Sequence, residues 1–508
     1  EKGQNINIRG GRTGETQIII DGVVTNNPLD RTSTANVSNG ALQELAVLTG
    51  GFSAEYGNVL SGVINVTTRS AQENYTGSID IVTDVIAGDH IGTKSQGYNI
   101  YSVSIGGPVI PTKKLSKYWS IFGSYEKTYN LVDQPVTTSV AELWADDGIL
   151  PNFSRAGQSY TGKTIISISE MTKGKVNLTL TGGFFGNEET SRLWTGSFGK
   201  FNSYHNPLVK DDNKQGYLKI NQSFGSKTFY DLQASYLQST YKRGDGIFFV
   251  DELIPSLPGK DGYMYPSIIA YGDTNTVPGI SSMGGTVNSS ANFRVFRDPG
   301  TVSGQYDKQK TQALSFNLNF THQLLTKKFG NHELKFGGEF KQFKVRNYSA
   351  NVIGFGSLPN PNKYGSGNVV NYPVIDENGA NSNFMSAYGY DVYGNEVEED
   401  YIVNGLNVTE APKKPRIGGF YLLDKMEFDY FNTNLGIRID YMDPNTLVPI
   451  SYENLKGADG VLNEADYTTV EKTIEISPRL GFSFPITDKT VFHAQYGKFI
   501  QLPALENL

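Results

Sequence analysis

The side chains that could do chemistry in this sequence are few and poorly spaced for catalysis. Cysteine is absent, which excludes thiolate nucleophiles, thiolate metal sites and disulfides. No Gly-x-Ser-x-Gly nucleophile elbow occurs. The five histidines form no His-x-x-x-His pair: His90, His205, His322, His332 and His493. The sequence therefore predicts a protein that is not an enzyme and that needs no cofactor.

Long polar segments could instead bind ligands. Acidic residues at Asp376-Glu377, Glu396–Asp400 and Asp443 could offer oxygen ligands to a loop calcium ion, although none has EF-hand spacing and solvated carboxylates are the simpler interpretation. Tyrosine rings in such segments could stack on sugars or peptides, and the candidates are Tyr263, Tyr265, Tyr388 and Tyr390. The long polar segments contain no dense basic cluster, which is the feature that would favour an anionic iron chelate. The residues thus favour an oligosaccharide or a peptide.

Composition restricts the class of protein further. Lys+Arg number 44 against 51 Asp+Glu, so the net charge of −7 argues against nucleic acid as a partner. No stretch reaches the 18 consecutive apolar residues that indicate a spanning helix, which excludes a helical membrane protein. The strands of a membrane β-barrel are short and only half apolar, so a barrel is not excluded.

From about residue 75 onward, apolar and polar residues alternate in strand-length runs. Between His332 and Phe343, the apolar Leu334, Phe336 and Phe340 share one face, which we expect to face lipid, and the charged Glu333, Lys335 and Glu339 share the other, which we expect to face the lumen. Thirteen strands are predicted, at 75–86, 97–109, 118–130, 160–171, 175–186, 214–224, 228–241, 311–323, 332–346, 416–428, 431–442, 474–484 and 489–500.

The connections between these strands alternate between short and long. Short ones carry turn residues, as in Thr172–Lys175 and Gly225–Lys227, whereas each next connection is longer. A soluble sandwich or propeller has no reason to make every second loop long. An outer-membrane barrel does, because its periplasmic turns are short and its extracellular loops are long. The pattern predicts an all-β membrane protein, an antiparallel transmembrane β-barrel, over residues 71–508.

Residues 1–70 differ in character. Ile6–Arg9 and Thr16–Ile20 are predicted to be short strands, Ala41–Leu48 one or two helical turns, and Gly62–Thr68 a further strand. This combination predicts a small α+β domain ahead of the barrel.

Four motifs in this first domain occur in an order that resembles the plug domain of TonB-dependent outer-membrane receptors. They are Ile6–Gly11, Ile19–Val23, Glu44–Gly57 and Ser61–Arg69. The amino-acid sequence of the third motif most resembles that of receptors from Bacteroidota. The resemblance implies a barrel of about 22 strands with the plug in its lumen. Plug gating candidates that match the motifs are Arg9, Gly10, Gly11, Asp21, Gly22, Glu44, Glu55, Tyr56, Gly57 and Asn65, and Arg12 joins the substrate candidates.

The resemblance also implies a function. Receptors of this family import nutrients actively across the outer membrane, driven by the inner-membrane proton gradient through the TonB–ExbB–ExbD complex, and some have a surface lipoprotein lid. The alternatives are a siderophore receptor and a receptor-like barrel recruited as a structural subunit of a surface or secretion complex.

One departure from the family concerns arginine. Many members have Arg-Gly-Pro where this chain has Thr49-Gly50-Gly51, so Arg9 is the only plug arginine that matches. We consider two roles for Arg9, a buried structural guanidinium or a release latch and substrate contact.

The strand count carries a further expectation. Single-chain bacterial barrels have an even number of strands, since an open edge would leave backbone groups unpaired in lipid. Thirteen strands therefore predict that about nine more follow Leu508 and that part of a plug precedes Glu1.

Overall fold

A computed structural model describes most of the chain between residues 8 and 504. The residues outside the description are 1–7, 13, 34–36, 72, 87–94, 113–114, 132–149, 197–202, 247–302, 304, 327–329, 352–384, 391–393, 404–405, 429, 452, 455–463, 488, 503 and 505–508.

The first domain is built on a four-stranded sheet with the order β2-β1-β4-β3. Its strands are β1 (Thr16–Ile20), β2 (Val23–Val24), β3 (Leu42–Leu48) and β4 (Gly62–Thr68). Strand β4 lies parallel to β1 and antiparallel to β3. Asp21 and Gly22 join β1 to β2 with φ angles of 48° and 85°, and a two-residue hairpin turn needs this left-handed backbone.

Two predictions for this domain are wrong. Leu42–Leu48 is a strand, preceded by a single 3-10 turn at Asn39–Ala41, because pairing with β4 overrides the local helical preference. Ile8 to Gly10 form a bend and turn instead of a strand, since Arg9 and Gly10 both have positive φ. The rest of that predicted strand, residues 6–7, lies outside the described residues.

The second domain is one large antiparallel sheet. Its strands follow one another in chain order, apart from one short added strand. They are β5 (Thr76–Thr83), β6 (Asn99–Pro108), β7 (Trp119–Asn130), β8 (Arg155–Ser167), β9 (Asn177–Arg192), β10 (Leu208–Phe224), β11 (Thr228–Gly244), β12 (Gln305–Thr326), β13 (Gly330–Asn351), β14 (Met385–Tyr388, the added strand), β17 (Arg416–Glu427), β18 (Asn432–Asp443), β21 (Thr473–Thr487) and β22 (Thr490–Gly497).

All thirteen predicted strands are present, with shifted ends. The largest shifts are of six residues, at the starts of β10 and β12 and at the end of β9. Strand β8 begins five residues early and gives way to the short helix α1 (Ile168–Met171), capped by the Ser167 side chain. Four further short strands pair within the long connections: β15 (Tyr401–Val403), β16 (Leu406–Thr409), β19 (Leu447–Pro449) and β20 (Tyr467–Thr469). Strands β5 and β22 are the two ends of the described sheet order, and the expected closing strands stay a prediction.

The sheet is apolar outside and polar inside. Ile79 and Ile105 on the outer face are 76% and 65% exposed, whereas Ser104 and Glu126 on the inner face are 5% and 4% exposed. A soluble domain has the opposite distribution, and an apolar outer band around a polar interior is typical of a membrane barrel. The predicted faces of β13 are confirmed, since Phe336 and Phe340 point outward while Glu339 meets inner-wall residues. Among the described residues, no helix has the length and apolar character needed to cross a membrane.

The four-stranded domain packs inside this sheet. Ile20, Val23 and Ile64 of the plug form one apolar cluster with Phe185 and Tyr217 of the wall. Plug residues Phe52, Val59 and Val63 form another cluster, against which Phe499 packs. The domain is therefore a plug held by a wall, and the interface between them positions the candidate site.

Candidate functional site

One plug carboxylate, Asp21, is the centre of the first contact with the wall, here called the Asp21 anchor. Lys163 on β8 places its Nζ 3.1 Å from Oδ1 of Asp21, and both side chains are under a tenth exposed. Tyr217 on β10 donates its hydroxyl to Oδ2 at 2.9 Å. Within the plug, the Thr68 backbone N–H donates to Oδ1 at 2.9 Å. The anchor thus joins the end of β4 and the β1–β2 turn to two wall strands.

The same wall side chains also hold plug backbone. Lys163 donates to the Thr68 carbonyl at 3.0 Å, and Gln233 on β11 donates to the Asp21 carbonyl at 3.3 Å. Both charges of a buried ion pair lose their hydration when the pair forms, and this cost offsets most of their attraction. Such a pair therefore specifies position more than it adds stability. The hairpin turn presents the carboxylate at the plug surface, which gives Asp21 and Gly22 their role in this site.

The second contact, here called the arginine clamp, comes from the wall. Arg438 on β18 is 2% exposed and donates through Nη1 to the carbonyls of Ala54 and Glu55, at 3.4 and 3.3 Å. Its charge is balanced by wall carboxylates, Asp440 at 2.7 Å from Nε and Glu339 in direct contact with Nη2. A buried guanidinium with two carboxylates and two carbonyls is well satisfied.

Arg479 on β21 completes the clamp. Its Nη1 donates to the carbonyls of Phe52, Ser53 and Tyr56, at 3.2, 2.5 and 2.7 Å. The guanidinium carbon lies 4.7 Å from the centre of the Phe499 ring, a cation–π distance. The two arginines together therefore bind five consecutive plug residues through main-chain oxygens.

The clamped segment has little space to move. A Cβ at Gly57 would overlap the Arg438 guanidinium, and a Cβ at Gly51 would overlap the Gln495 amide. Tyr56 is partly buried beside this segment, and burial, with the nearby Glu55 charge, raises the pKa of its hydroxyl. Lys335 on β13 lies 4.0 Å from Glu55. Three of the predicted gating residues, Glu55, Tyr56 and Gly57, thus lie at the clamp.

A cavity of about 490 Å³ separates plug and wall between the two contacts. The plug contributes Gln17 and Asn65 to its lining, and the wall contributes mainly amide, carboxylate and lysine side chains. The wall residues most relevant below are Lys219, Asn221, Asp231, Gln233, Asn317 and Asn319.

A second cavity, of about 510 Å³, lies where the plug loop 27–32 meets the wall near the long connections. Its lining includes Asp30, Asp211 and Asp307, with amides and hydroxyls, and no lysine or arginine among the described residues. This outer cavity would disfavour an anionic ligand.

The structure separates the remaining plug candidates from the interface. Arg9 is exposed, with its guanidinium over Gly50, so the prediction of a buried guanidinium is wrong. Gly10 lies in the same turn, and Gly11 is packed against Ser61. Glu44 is exposed on β3. No residue type in the plug motifs marks the clamp, because the clamp uses plug carbonyls.

The substrate candidates are also dispersed. Tyr390 is 1% exposed, with Lys308 over its ring at 5.0 Å, so the prediction that it stacks on a ligand is wrong. Tyr388 is partly buried, with Lys413 5.7 Å from its ring centre. Arg12 is exposed, and its backbone N–H donates to the Glu15 carboxylate at 2.9 Å. Tyr263 and Tyr265 lie outside the described residues.

Several of the acidic loop residues proposed for calcium are paired with lysine or arginine side chains in the structure. Glu396 accepts from Lys310 at 2.8 Å, and Glu398 pairs with Lys344 and Arg346. The hydrogen bond from Lys344 lowers the pKa of Glu398. Asp443 lies 3.7 Å from Lys472, and Asp376-Glu377 lies outside the described residues.

The first domain matches a known family model. Residues 1–63 match the TonB-dependent receptor plug domain. The TonB-dependent transporter Oar of Myxococcus xanthus is 28% identical over 123 residues, which is 21% of this chain and 11% of that protein.

Solved structures share the fold of a plug inside a barrel. The siderophore receptor PirA from Acinetobacter baumannii matches 98% of this chain and 55% of its own, with a TM-score of 0.55 and 14% identity. The FrpB iron transporter from Neisseria meningitidis matches 97% of this chain and 59% of its own, with a TM-score of 0.56 and 12% identity. The chain thus spans a little over half the length of these receptors, and its match to Oar covers about a tenth of that protein. At such identity the likeness to the solved structures shows the fold alone.

Proposed function

We propose that this chain belongs to a TonB-dependent importer of the outer membrane, in which the plug gates active uptake of a nutrient. The observation that carries the proposal is a domain matching the TonB-dependent receptor plug, seated inside a sheet that is apolar outside and polar inside. The wide lumen of a barrel of this kind would leak without a plug. In this proposal the energy comes from the inner-membrane proton gradient through TonB–ExbB–ExbD. The resemblance of the third plug motif to receptors of Bacteroidota is compatible with a surface lipoprotein lid as a further partner.

The plug contacts fit a gate. Both contacts consist of polar groups, which can hydrogen-bond to water while the plug is displaced and can re-form with the same partners when it returns. A pull on the plug would then have to separate an ion pair at Asp21 and a set of carbonyl contacts at the clamp. The gate would close again in the same position, since each contact specifies geometry.

We further propose an oligosaccharide or a peptide as the substrate. The outer cavity is lined by carboxylates, amides and hydroxyls, which suit neutral or basic polar groups and oppose the negative charge of many iron chelates. The iron receptors with the same fold carry no argument for iron here, because identity to them is 14% or lower in the two cases described above.

Uptake measurements would test this function. Cells that produce the protein should accumulate a labelled member of a panel of defined glycans, peptides and ferric siderophores, and collapse of the proton gradient should abolish accumulation. The matched control is the same strain without the protein. Uptake that survives collapse of the gradient would favour a passive pore, and accumulation of a siderophore alone would overturn the proposed substrate class.

A plug deletion separates gating from assembly. Removal of residues 3–68 should admit large hydrophilic antibiotics, because the lumen loses the domain that fills it. Cells with the intact protein should stay resistant. Stable association with non-transport machinery, with no uptake of any panel member, would favour a recruited structural subunit.

A further inference from the structure

The cavity of about 490 Å³ between plug and wall has an unusual balance of charge. Every carboxylate that lines it has a cation close by. Asp21 faces Lys163 at 3.1 Å, and Asp231 faces Lys219 at 3.9 Å. The charges at this surface are therefore matched before any ligand enters.

The remaining carboxylates of the lining follow the same rule. Glu339 contacts Arg438, and Glu55 lies 4.0 Å from Lys335. An ionic ligand would have to compete with one of these pairs and would lose hydration on entry. The lining thus opposes charged ligands of either sign.

Amide groups supply the hydrogen bonds that are left over. Within the part of the chain that the structure describes, the side chains of Asn65, Asn221 and Asn317 line the cavity without a protein hydrogen-bond partner. Each amide offers two donors and an acceptor, so three of them can bind hydroxyl or amide groups in either sense. The cavity volume lies within the range of about 300–1,000 Å³ that is usual for small-molecule sites.

We propose that this cavity is a transit binding site for a neutral solute rich in hydroxyl or amide groups, on the side of the plug that faces β10, β11 and β12. The transit role of this site rests on the proposed import function. The site itself, and its selection against charge, stand on the lining alone. The Asp21 anchor and the arginine clamp flank the site, so the plug stays attached on both sides of the cavity while leaving it open.

Thiol labelling tests the selectivity without knowledge of the substrate. The chain has no cysteine, so Asn317→Cys introduces a single thiol into the cavity. Three methanethiosulfonates of similar size would be compared on the purified intact protein, one neutral, one cationic and one anionic. The exposed turn variant Lys175→Cys corrects for intrinsic reactivity.

After this correction, the neutral reagent should label Asn317→Cys faster than either charged reagent by about tenfold or more, because a charge entering the site is desolvated. The variant Asn221→Cys gives an independent reading if Asn317→Cys fails to fold. Equal rates for the three reagents, a faster charged reagent, or no labelling at either position would overturn the site.

A bulky substitution tests the transit role. Asn317→Trp fills the cavity, and Leu318→Trp, the next residue, places the same ring on the outer face, where Leu318 is 42% exposed. Uptake of the nutrient found in the panel above should fall severalfold for Asn317→Trp and stay near the native level for Leu318→Trp. Unchanged uptake in both would remove the cavity from the route. Absence of uptake in the native protein would count against the import function, while the labelling rates would still decide the site.

Discussion

The two attachments of the plug use opposite chemistry. At the Asp21 anchor, a plug side chain accepts from the wall residues Lys163 and Tyr217. At the arginine clamp, the wall residues Arg438 and Arg479 donate to plug carbonyls. One attachment depends on which residue the plug carries, and the other depends on the conformation of the plug backbone.

This difference teaches how each attachment responds to mutation and to force. A carboxylate can be removed by one substitution in the plug, whereas a carbonyl cannot. The clamp can be weakened from the plug side only by moving the backbone away from the arginines or by adding atoms that displace the guanidinium groups. We therefore expect the clamp to tolerate side-chain changes in the plug that the Asp21 anchor does not.

The largest expected effect is that of Arg438→Ala. The substitution leaves Glu339 and Asp440 without their shared cation and removes the donor to Ala54, so it should lower the free energy of unfolding by about 3–5 kcal/mol. Urea unfolding of the purified protein measures the change. The control is Arg416→Ala, which removes an exposed arginine of the wall and should have little effect. Similar losses in the two variants would contradict the clamp.

Removal of the plug carboxylate should have the next largest effect. Asp21→Asn keeps the shape and loses the charge opposite Lys163, which should cost about 2–3 kcal/mol. Adding Lys163→Met should restore much of the loss, because the unpaired ammonium is then gone. A double-mutant cycle from unfolding curves gives the coupling. Losses that simply add would mean that the two side chains do not act as a pair.

A methyl group at Gly57 tests the clamp from the plug side. Gly57→Ala should displace the Arg438 guanidinium and cost about 1–3 kcal/mol, through overpacking at a buried site. Gly196→Ala is the control, since no atom lies within 4 Å of its added Cβ. In an Arg438→Ala background the cost of Gly57→Ala should largely disappear. A cost that persists there would show that another neighbour of Gly57 is responsible.

The smallest effect is expected from Ser53→Ala. The change removes a 2.6 Å hydrogen bond from the Ser53 hydroxyl to Glu55 but leaves the carbonyl that Arg479 binds. Stability should change by no more than about 0.5 kcal/mol. A loss as large as that of Arg438→Ala would mean that the plug side chains hold this segment, and the contrast between the two attachments would fail.

Much of the wall could be predicted from local sequence. In β13, Phe336 and Phe340 alternate with Lys335 and Glu339, and a slip of one residue would place charges in lipid. That constraint acts over a few neighbouring residues, so the faces of the strand can be predicted from the sequence. The turn at Asp21-Gly22 also follows from local sequence, because a two-residue turn with positive φ favours these residue types.

Other features depended on partners distant in the chain. Leu42–Leu48 is a strand because β4 pairs with it, although its composition also suits a helix. Tyr390 is buried because its loop folds back so that Tyr348 and Lys308 cover the ring. Loop composition alone gives no indication of such a return.

The sequence by itself determined the thirteen long strands of the wall, their inward and outward faces, and the plug motifs, since each of these follows from residues near one another in the chain. Only the tertiary structure decided how the plug is held. Arg438 and Ala54 are 384 residues apart, and Arg479 and Phe52 are 427 residues apart. The plug partner in each contact is a backbone carbonyl, which every residue possesses, so no residue type in the plug could indicate where the arginines bind.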